Sequence, residues 1–201
     1  MPMEHEAKFI LTDSQEVRSK IIALGGHSNG RFFESNVRYE DAKETLIQKE
    51  SLLRLRQDRK AWLTYKSPPT KANIEVKTMN EIEVSVSDFG SMDQILVAVG
   101  FHRAQVYEKW RETFILDDAN LCLDTMPFGD FLEIESTPER VKSLAATLGL
   151  PWEKRVLDNY LTIFALLKER ERLSFKDVTF ANFKDVQIDL NWYASLLEAG
   201  P

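Results

Sequence analysis

At 201 residues, with 43% hydrophobic and 29% charged residues and a net charge of −6, the chain has the make-up of one ordinary domain with at most a short appendage. Its single cysteine, Cys122, excludes an intrachain disulfide and a cysteine-based zinc cluster, and the scattered Lys and Arg argue against a nucleic-acid partner. No apolar run approaches the ~18 residues of a membrane span and there is no signal-peptide pattern, so a reducing, cytoplasmic setting is expected.

The chain opens on Glu4-His5-Glu6-Ala7-Lys8, followed by the apolar Phe9-Ile10-Leu11. Alternate residues of a strand share a face, so Glu4, Glu6 and Lys8 converge on one side. A helix is expected from Ser14 to Leu24, with Asp13 or Ser14 as cap, Val17, Ile21, Ile22 and Leu24 on one face, and Gly25-Gly26 as stop. Arg31 to Tyr39 and Ser51 to Arg56 have strand character. Ala61 to Lys66 follows across the polar turn Asp58-Arg59-Lys60, which makes a hairpin. Pro68-Pro69 forces a break, Asn73 to Val86 alternates again, and Asp88 caps a second helix that runs to about Val99.

Strands resume over Phe101 to Leu116, Leu121 to Thr125 and Phe128 to Glu135, with turns at Asp117-Asp118-Ala119-Asn120 and Met126-Pro127. From Thr137 the period becomes helical, over Glu139 to Leu148 and Asp158 to about Arg172. Residues 1–172 thus form the main domain. Residues 173–201, with Phe175, Phe180, Phe183 and Trp192, form an appendage of one or two small helices. About eight mostly antiparallel strands with inserted helices predict an α+β fold, either a closed barrel or a strongly curved sheet.

Charges recur at spacing two along these strands: Arg54 and Arg56, Lys66 after Thr64, Glu81 and Glu83, Lys109 and Arg111, Glu133 and Glu135, with Asp124 beside a turn. Water-facing strands explain any one of these pairs but explain the set less well, because like charges side by side repel. With these faces turned inward, six bases stand against six acids. Burying them without a ligand is costly, and a polyphosphate with divalent cations fits such a lumen.

The motifs Glu4-x-Glu6-x-Lys8, Leu53-Arg54-Leu55-Arg56, Leu63-Thr64-Tyr65-Lys66, Glu81-Ile82-Glu83, Lys109-Trp110-Arg111 and Gly129-Asp130-Phe131-Leu132-Glu133-Ile134-Glu135 resemble, in order, those of the CYTH superfamily. Its members, the triphosphate tunnel metalloenzymes, include class IV adenylyl cyclases, thiamine triphosphatases and inorganic triphosphatases. The resemblance spans about residues 3 to 168. It implies a closed eight-stranded antiparallel β-barrel with helices packed outside, whose lumen binds a triphosphate with Mg²⁺ or Mn²⁺. By the same resemblance Glu4, Glu6, Glu133 and Glu135 are the metal-binding carboxylates. Glu81 and Glu83 are further lumen acids for a second metal or its bound water, and Asp124 matches an acidic position grouped with them. Lys8, Arg54, Arg56, Lys66, Lys109 and Arg111 are the phosphate clamp, and Glu4, Glu6 and Lys8 stand nearest the chemistry.

Two activities use these charges: hydrolysis of a small-molecule triphosphate, which asks less of the site, and cyclisation of ATP to cyclic AMP and pyrophosphate. Asn159-Tyr160 stands where the family often has Ser-Tyr. The residues after Arg172 have no family counterpart; capping the tunnel, mediating a homodimer or neither are open to them. Other features have plainer explanations. Gly25 to Arg31 has P-loop glycine spacing but lacks the Lys-Ser/Thr, Cys122 suits a small buried hydrophobe, Trp62 shares the parity of Thr64 and Lys66 and suits core packing ahead of the lumen mouth, and His5 points away from Glu4 and Glu6.

Overall fold

The computed structural model describes residues 2–70 and 75–200. In chain order the elements are β1 (Met3–Leu11), α1 (Ser14–Ala23), β2 (His27–Asp41), α2 (Thr45–Gln48), β3 (Leu52–Gln57), β4 (Ala61–Ser67) and β5 (Lys77–Val86). Then come α3 (Phe89–Ala98), β6 (Phe101–Leu116), β7 (Ala119–Met126), β8 (Gly129–Glu135), α4 (Pro138–Leu148), β9 (Arg155–Val156), α5 (Tyr160–Arg170) and α6 (Ala194–Leu197). The antiparallel order β5-β4-β3-β2-β6-β7-β8-β1 closes on itself, because the start of β1 pairs with β5, Glu6 opposite Lys77. The fold is therefore α+β, eight strands in a ring with helices outside. β9 joins β1 at Lys8 and Phe9, just beyond the point where β5 begins with Lys77 opposite Glu6.

Local chemistry sets the helix ends. The Asp13 carboxylate accepts from the Gln15 and Glu16 amides, Asp88 accepts from Ser91, and Thr137 accepts from Arg140 with Pro138 in the first turn. The outward strand faces are largely apolar and the helices cover much of them, while Ile82 and Val84 of β5 stay exposed. Phe9, Leu121, Leu132 and Ile134 pack against Ile21 of α1 and Val141 and Leu144 of α4. Val37, Tyr39 and Leu55 pack against Leu96 of α3. Each such side chain contributes roughly 1.5–3 kcal/mol on burial. Inward faces remain for charge, so strand alternation alone decides what lines the lumen.

α5 brings Ile163, Phe164 and Leu167 into a third cluster with Val178, Phe183, Leu190 and Leu197 of the C-terminal segment. That segment is bound to the ring. Val178 donates to the Val106 carbonyl at 2.8 Å and accepts from the Glu108 amide at 2.9 Å, and Ala199 donates to the Arg155 carbonyl at 2.8 Å. It carries a 3₁₀ turn at Leu190–Tyr193 and the short α6.

Several boundaries differ from expectation. Asn73, the expected start of β5, lies outside the described residues; Glu75 precedes the strand and pairs with Lys142 at 3.0 Å. Ile22 and Leu24 are exposed, so α1 buries a narrower stripe of Val17 and Ile21. α2 and β9, of four and two residues, are too short to carry a period. The turn before β7 needs only Asp117 and Asp118, with Asp117 at φ 53°.

Candidate active site

Twelve of the expected charges line one cavity of about 730 Å³ inside the ring: Glu4, Glu6 and Lys8 from β1, Arg54 and Arg56 from β3, Lys66 from β4, Glu81 and Glu83 from β5, Lys109 and Arg111 from β6, and Glu133 and Glu135 from β8. Register sets acids beside bases. Lys8 lies opposite Glu133, Lys66 opposite Glu81, and Arg111 opposite Asp124. Opposite charges across a ladder attract, which makes this dense lumen tolerable. Lys8 Nζ lies 2.7 Å from Glu133 and Lys66 Nζ 2.8 Å from Glu81; Lys66 also pairs with Glu4, and Arg111 with Glu133.

The cavity is polarised. Glu4, Glu83 and Glu135 lie toward the end where β1 starts and β5 and β8 finish, whereas Arg38 and Leu52 lie where β2 finishes and β3 starts. Glu4, Glu6 and Glu135 can bring one carboxylate oxygen each within 4.8 Å of one another. Burial lifts Glu4 to about 7, with Glu6, Glu135 and Glu81 adding to it and Lys66 opposing. Burial also raises Glu135, helped by Glu133 and Glu6. Glu6 is buried too, but Lys77 at 2.6 Å and Lys8 at 3.5 Å outweigh burial and hold it at about 2. Positive charge placed among these three acids relieves the crowding. Hard oxygen donors at this spacing suit Mg²⁺ or Mn²⁺.

Asp124 stands apart from that trio. It is buried and accepts from Lys109 at 2.9 Å, from Arg111 Nε at 2.6 Å and from the Tyr160 hydroxyl at 2.8 Å. Tyr160, the first residue of α5, lies below the Lys8 and Lys109 ammonium groups, 4.7 and 5.3 Å from its ring centre. Asn159 caps α5, accepting from the Leu161 and Thr162 amides; Asn performs the capping that Ser would.

The sequence reading missed the inward face of β2. Glu34 and Asn36 are buried, and Arg38 lines the cavity. Their signal was present, since Glu34, Asn36, Arg38 and Glu40 are polar at spacing two. Both amide atoms of Asn36, and the Nε atoms of Arg38, Arg54 and Arg56, are buried without a hydrogen-bond partner. Tyr107 was missed as well and accepts from Arg54 at 3.3 Å, whereas Lys77 lines the cavity on the face that strand alternation has it share with Glu81 and Glu83. Trp62, expected in core packing ahead of the lumen, lies on the inward face that its parity with Thr64 and Lys66 allows, opposite Arg56, whose guanidinium is 5.8 Å from its ring. Cys122 is buried as expected but faces inward, 3.9 Å from Glu135. Burial raises its thiol well above the usual range, which makes it a poor nucleophile.

A family model described as the CYTH domain matches residues 2–155. A Methanocaldococcus jannaschii protein named as a candidate adenylate cyclase is 28% identical over 137 residues, 67% of this chain and 77% of that protein. The structure of a candidate adenylate cyclase from Vibrio parahaemolyticus superimposes with a TM-score of 0.73 at 20% identity, over 81% of this chain and 98% of that one. A Hippeastrum candidate adenylyl cyclase, described as having a dominant triphosphatase activity, gives 0.58 at 20% identity, over 83% and 96%. The family match spans most of the ring that the charged strands close, and the chain belongs to the CYTH domain family.

Proposed function

We propose that the protein hydrolyses the terminal phosphate of a triphosphate held inside the ring, with Mg²⁺ or Mn²⁺ on Glu4, Glu6 and Glu135. One observation carries this reading: three convergent carboxylates share a single cavity with a wall of Arg and Lys. Arg54, Arg56, Lys66, Lys109, Arg111 and Lys8 hold the phosphate oxygens, the arginines through their planar forks. Glu81 and Glu133 orient Lys66 and Lys8, and Glu83 lies 3.4–3.5 Å from Arg56 and Arg54. Their contacts support a positioning part for them, as Asp124's do for Lys109 and Arg111. The bound cation supplies Lewis acidity and neutralises charge on the phosphate oxygens.

In the reaction a water oxygen bonds to the terminal phosphorus, the bond from that phosphorus to the bridging oxygen breaks, and diphosphate leaves as a proton passes to solvent. Such transfer needs mainly positioning and charge stabilisation, which the basic wall provides. A second reading rests on the name of the M. jannaschii relative: the ribose 3′-hydroxyl of ATP attacks the α-phosphorus and pyrophosphate leaves.

Incubation with Mg²⁺ or Mn²⁺ and, separately, ATP, thiamine triphosphate and inorganic triphosphate distinguishes the readings by their products. Orthophosphate with the matching diphosphate supports hydrolysis. Cyclic AMP with pyrophosphate replaces it by the cyclase, and tight binding without turnover makes the protein a sensor.

A further inference from the structure

The ring carries a second cavity on its outer wall, beside the first turns of α1. About 700 Å³ in volume, it is lined by Ser14 and Arg18 of α1, Arg31 of β2, Glu112 of β6, Thr125 of β7 and Asp130 of β8. Strand alternation turns Glu112 and Thr125 outward where their neighbours Arg111 and Asp124 face in, so the sheet separates this cavity from the phosphate clamp. The volume falls in the range of ~300–1,000 Å³ typical of pockets that enclose a small organic molecule.

Two of the four charges here are occupied with each other. Arg18 donates through two nitrogens to Glu112 at 2.9 and 3.0 Å, and the Ser28 hydroxyl donates to the same carboxylate at 2.6 Å. The other two charges are less well served. Ser14 donates to Asp130 Oδ2 at 3.0 Å, but Asp130 Oδ1 is buried without a hydrogen-bond partner. A carboxylate oxygen withdrawn from water in this way calls for a donor. The Arg31 guanidinium lies 5.3 Å from the Trp110 ring centre and donates to Thr125 at 3.2 Å. Among the described residues no carboxylate lies within 4.0 Å of it. Thr125 stands opposite Asp130 in the β7–β8 register, so an unpaired cation and an unpaired anion flank one hydroxyl.

Charge narrows the occupant. A bare divalent cation finds a single free carboxylate with a guanidinium nearby, too few oxygens for a hard ion. A phosphate is drawn to Arg31 but repelled by Asp130. A small zwitterion satisfies both ends at once, each through a charge-assisted hydrogen bond. We propose that this outer cavity binds a free α-amino acid, its ammonium on Asp130, its carboxylate on the fork of Arg31 and its side chain toward Leu123, which also lines the cavity. The site is independent of the triphosphate reading, because neither Asp130 nor Arg31 lines the lumen.

Isothermal titration of the full chain tests this with glycine, leucine, glutamine, glutamate and lysine as probes, each also as its N-acetyl and its amide derivative. The variants are Asp130→Asn, whose amide oxygen still accepts from Ser14, and Arg31→Gln, at an exposed position. At least one free amino acid is expected to bind the wild-type protein. N-acetylation, amidation and either substitution are each expected to weaken it by about tenfold or more, because each removes one charged bond. Saturating inorganic triphosphate should leave that affinity within about twofold, and both variants should turn over triphosphate as the wild type does. Binding by none of the free amino acids overturns the proposal, as does equal binding of the N-acetyl or amide form, or equal binding by both variants. Competition by inorganic triphosphate would place the amino acid in the lumen and overturn it as well.

Discussion

The Tyr160 hydroxyl donates to Asp124 Oδ2 at 2.8 Å, joining the first turn of α5 to the innermost bases of the ring. Asp124 in turn holds Lys109 and Arg111. Tyr160→Phe keeps the ring packed on Phe131 and removes only the hydroxyl. The expected cost is about 1–2 kcal/mol in urea unfolding. Because the bases lose an anchor, the Michaelis constant for triphosphate should rise more than kcat falls. Unchanged stability together with unchanged kinetics would show that the contact does nothing for the site.

The ring and its charged faces were legible in the sequence because strand alternation is a strict two-residue code. Glu81 and Glu83, or Lys109 and Arg111, cannot lie on opposite faces of one strand. The same code was available on β2, where Asn36 interrupts the run of charges and hides the pattern. What was not legible is long-range. That Tyr160 reaches Asp124, 36 residues away in sequence, depends on how α5 crosses the end of the ring. That Cys122 faces the acids follows from its register opposite Glu133, which its apolar neighbours Leu121 and Leu123 conceal.

Glu4 links cation binding to pH. It titrates at about 7 in the free protein because burial and three neighbouring acids outweigh Lys66, and the cation requires the carboxylate form. Below that value protons compete, so cation affinity should fall by about tenfold per pH unit, and it should level off above it. Calorimetry in two buffers of different ionisation enthalpy should detect proton release near pH 6 that fades by about pH 8.5. Affinity that is flat across this range would contradict the assignment.

Glu34 makes the fold acid-sensitive. Burial raises this carboxyl, but Lys109, Arg111, Arg56 and Arg54 outweigh it and hold it at about 2. A carboxyl depressed in the folded state adds stability above its unfolded value, and the fold loses that stability as pH falls from about 4.5 toward 2. The contribution at neutral pH is on the order of 3 kcal/mol. Glu34→Gln should lower stability by a comparable amount at pH 7 and flatten its slope below pH 4.5. A parallel pH profile in the variant would show that other acids carry the effect.

Arg54 separates geometry from charge. Its guanidinium lies 3.2 Å from Thr64 and 3.3 Å from Tyr107 and lines the cavity. Arg54→Lys keeps the charge and loses the fork, so triphosphate binding should weaken by about tenfold or more, with little change in thermal stability. Equal affinity in the variant would place the phosphates elsewhere.

Hydrolysis in ¹⁸O-labelled water tests the whole account most directly. With ATP and Mg²⁺, attack at the terminal phosphorus beside Glu4, Glu6 and Glu135 places one ¹⁸O in orthophosphate and none in ADP, and Glu4→Gln abolishes the label. Label in ADP, or unlabelled cyclic AMP with pyrophosphate, would contradict it.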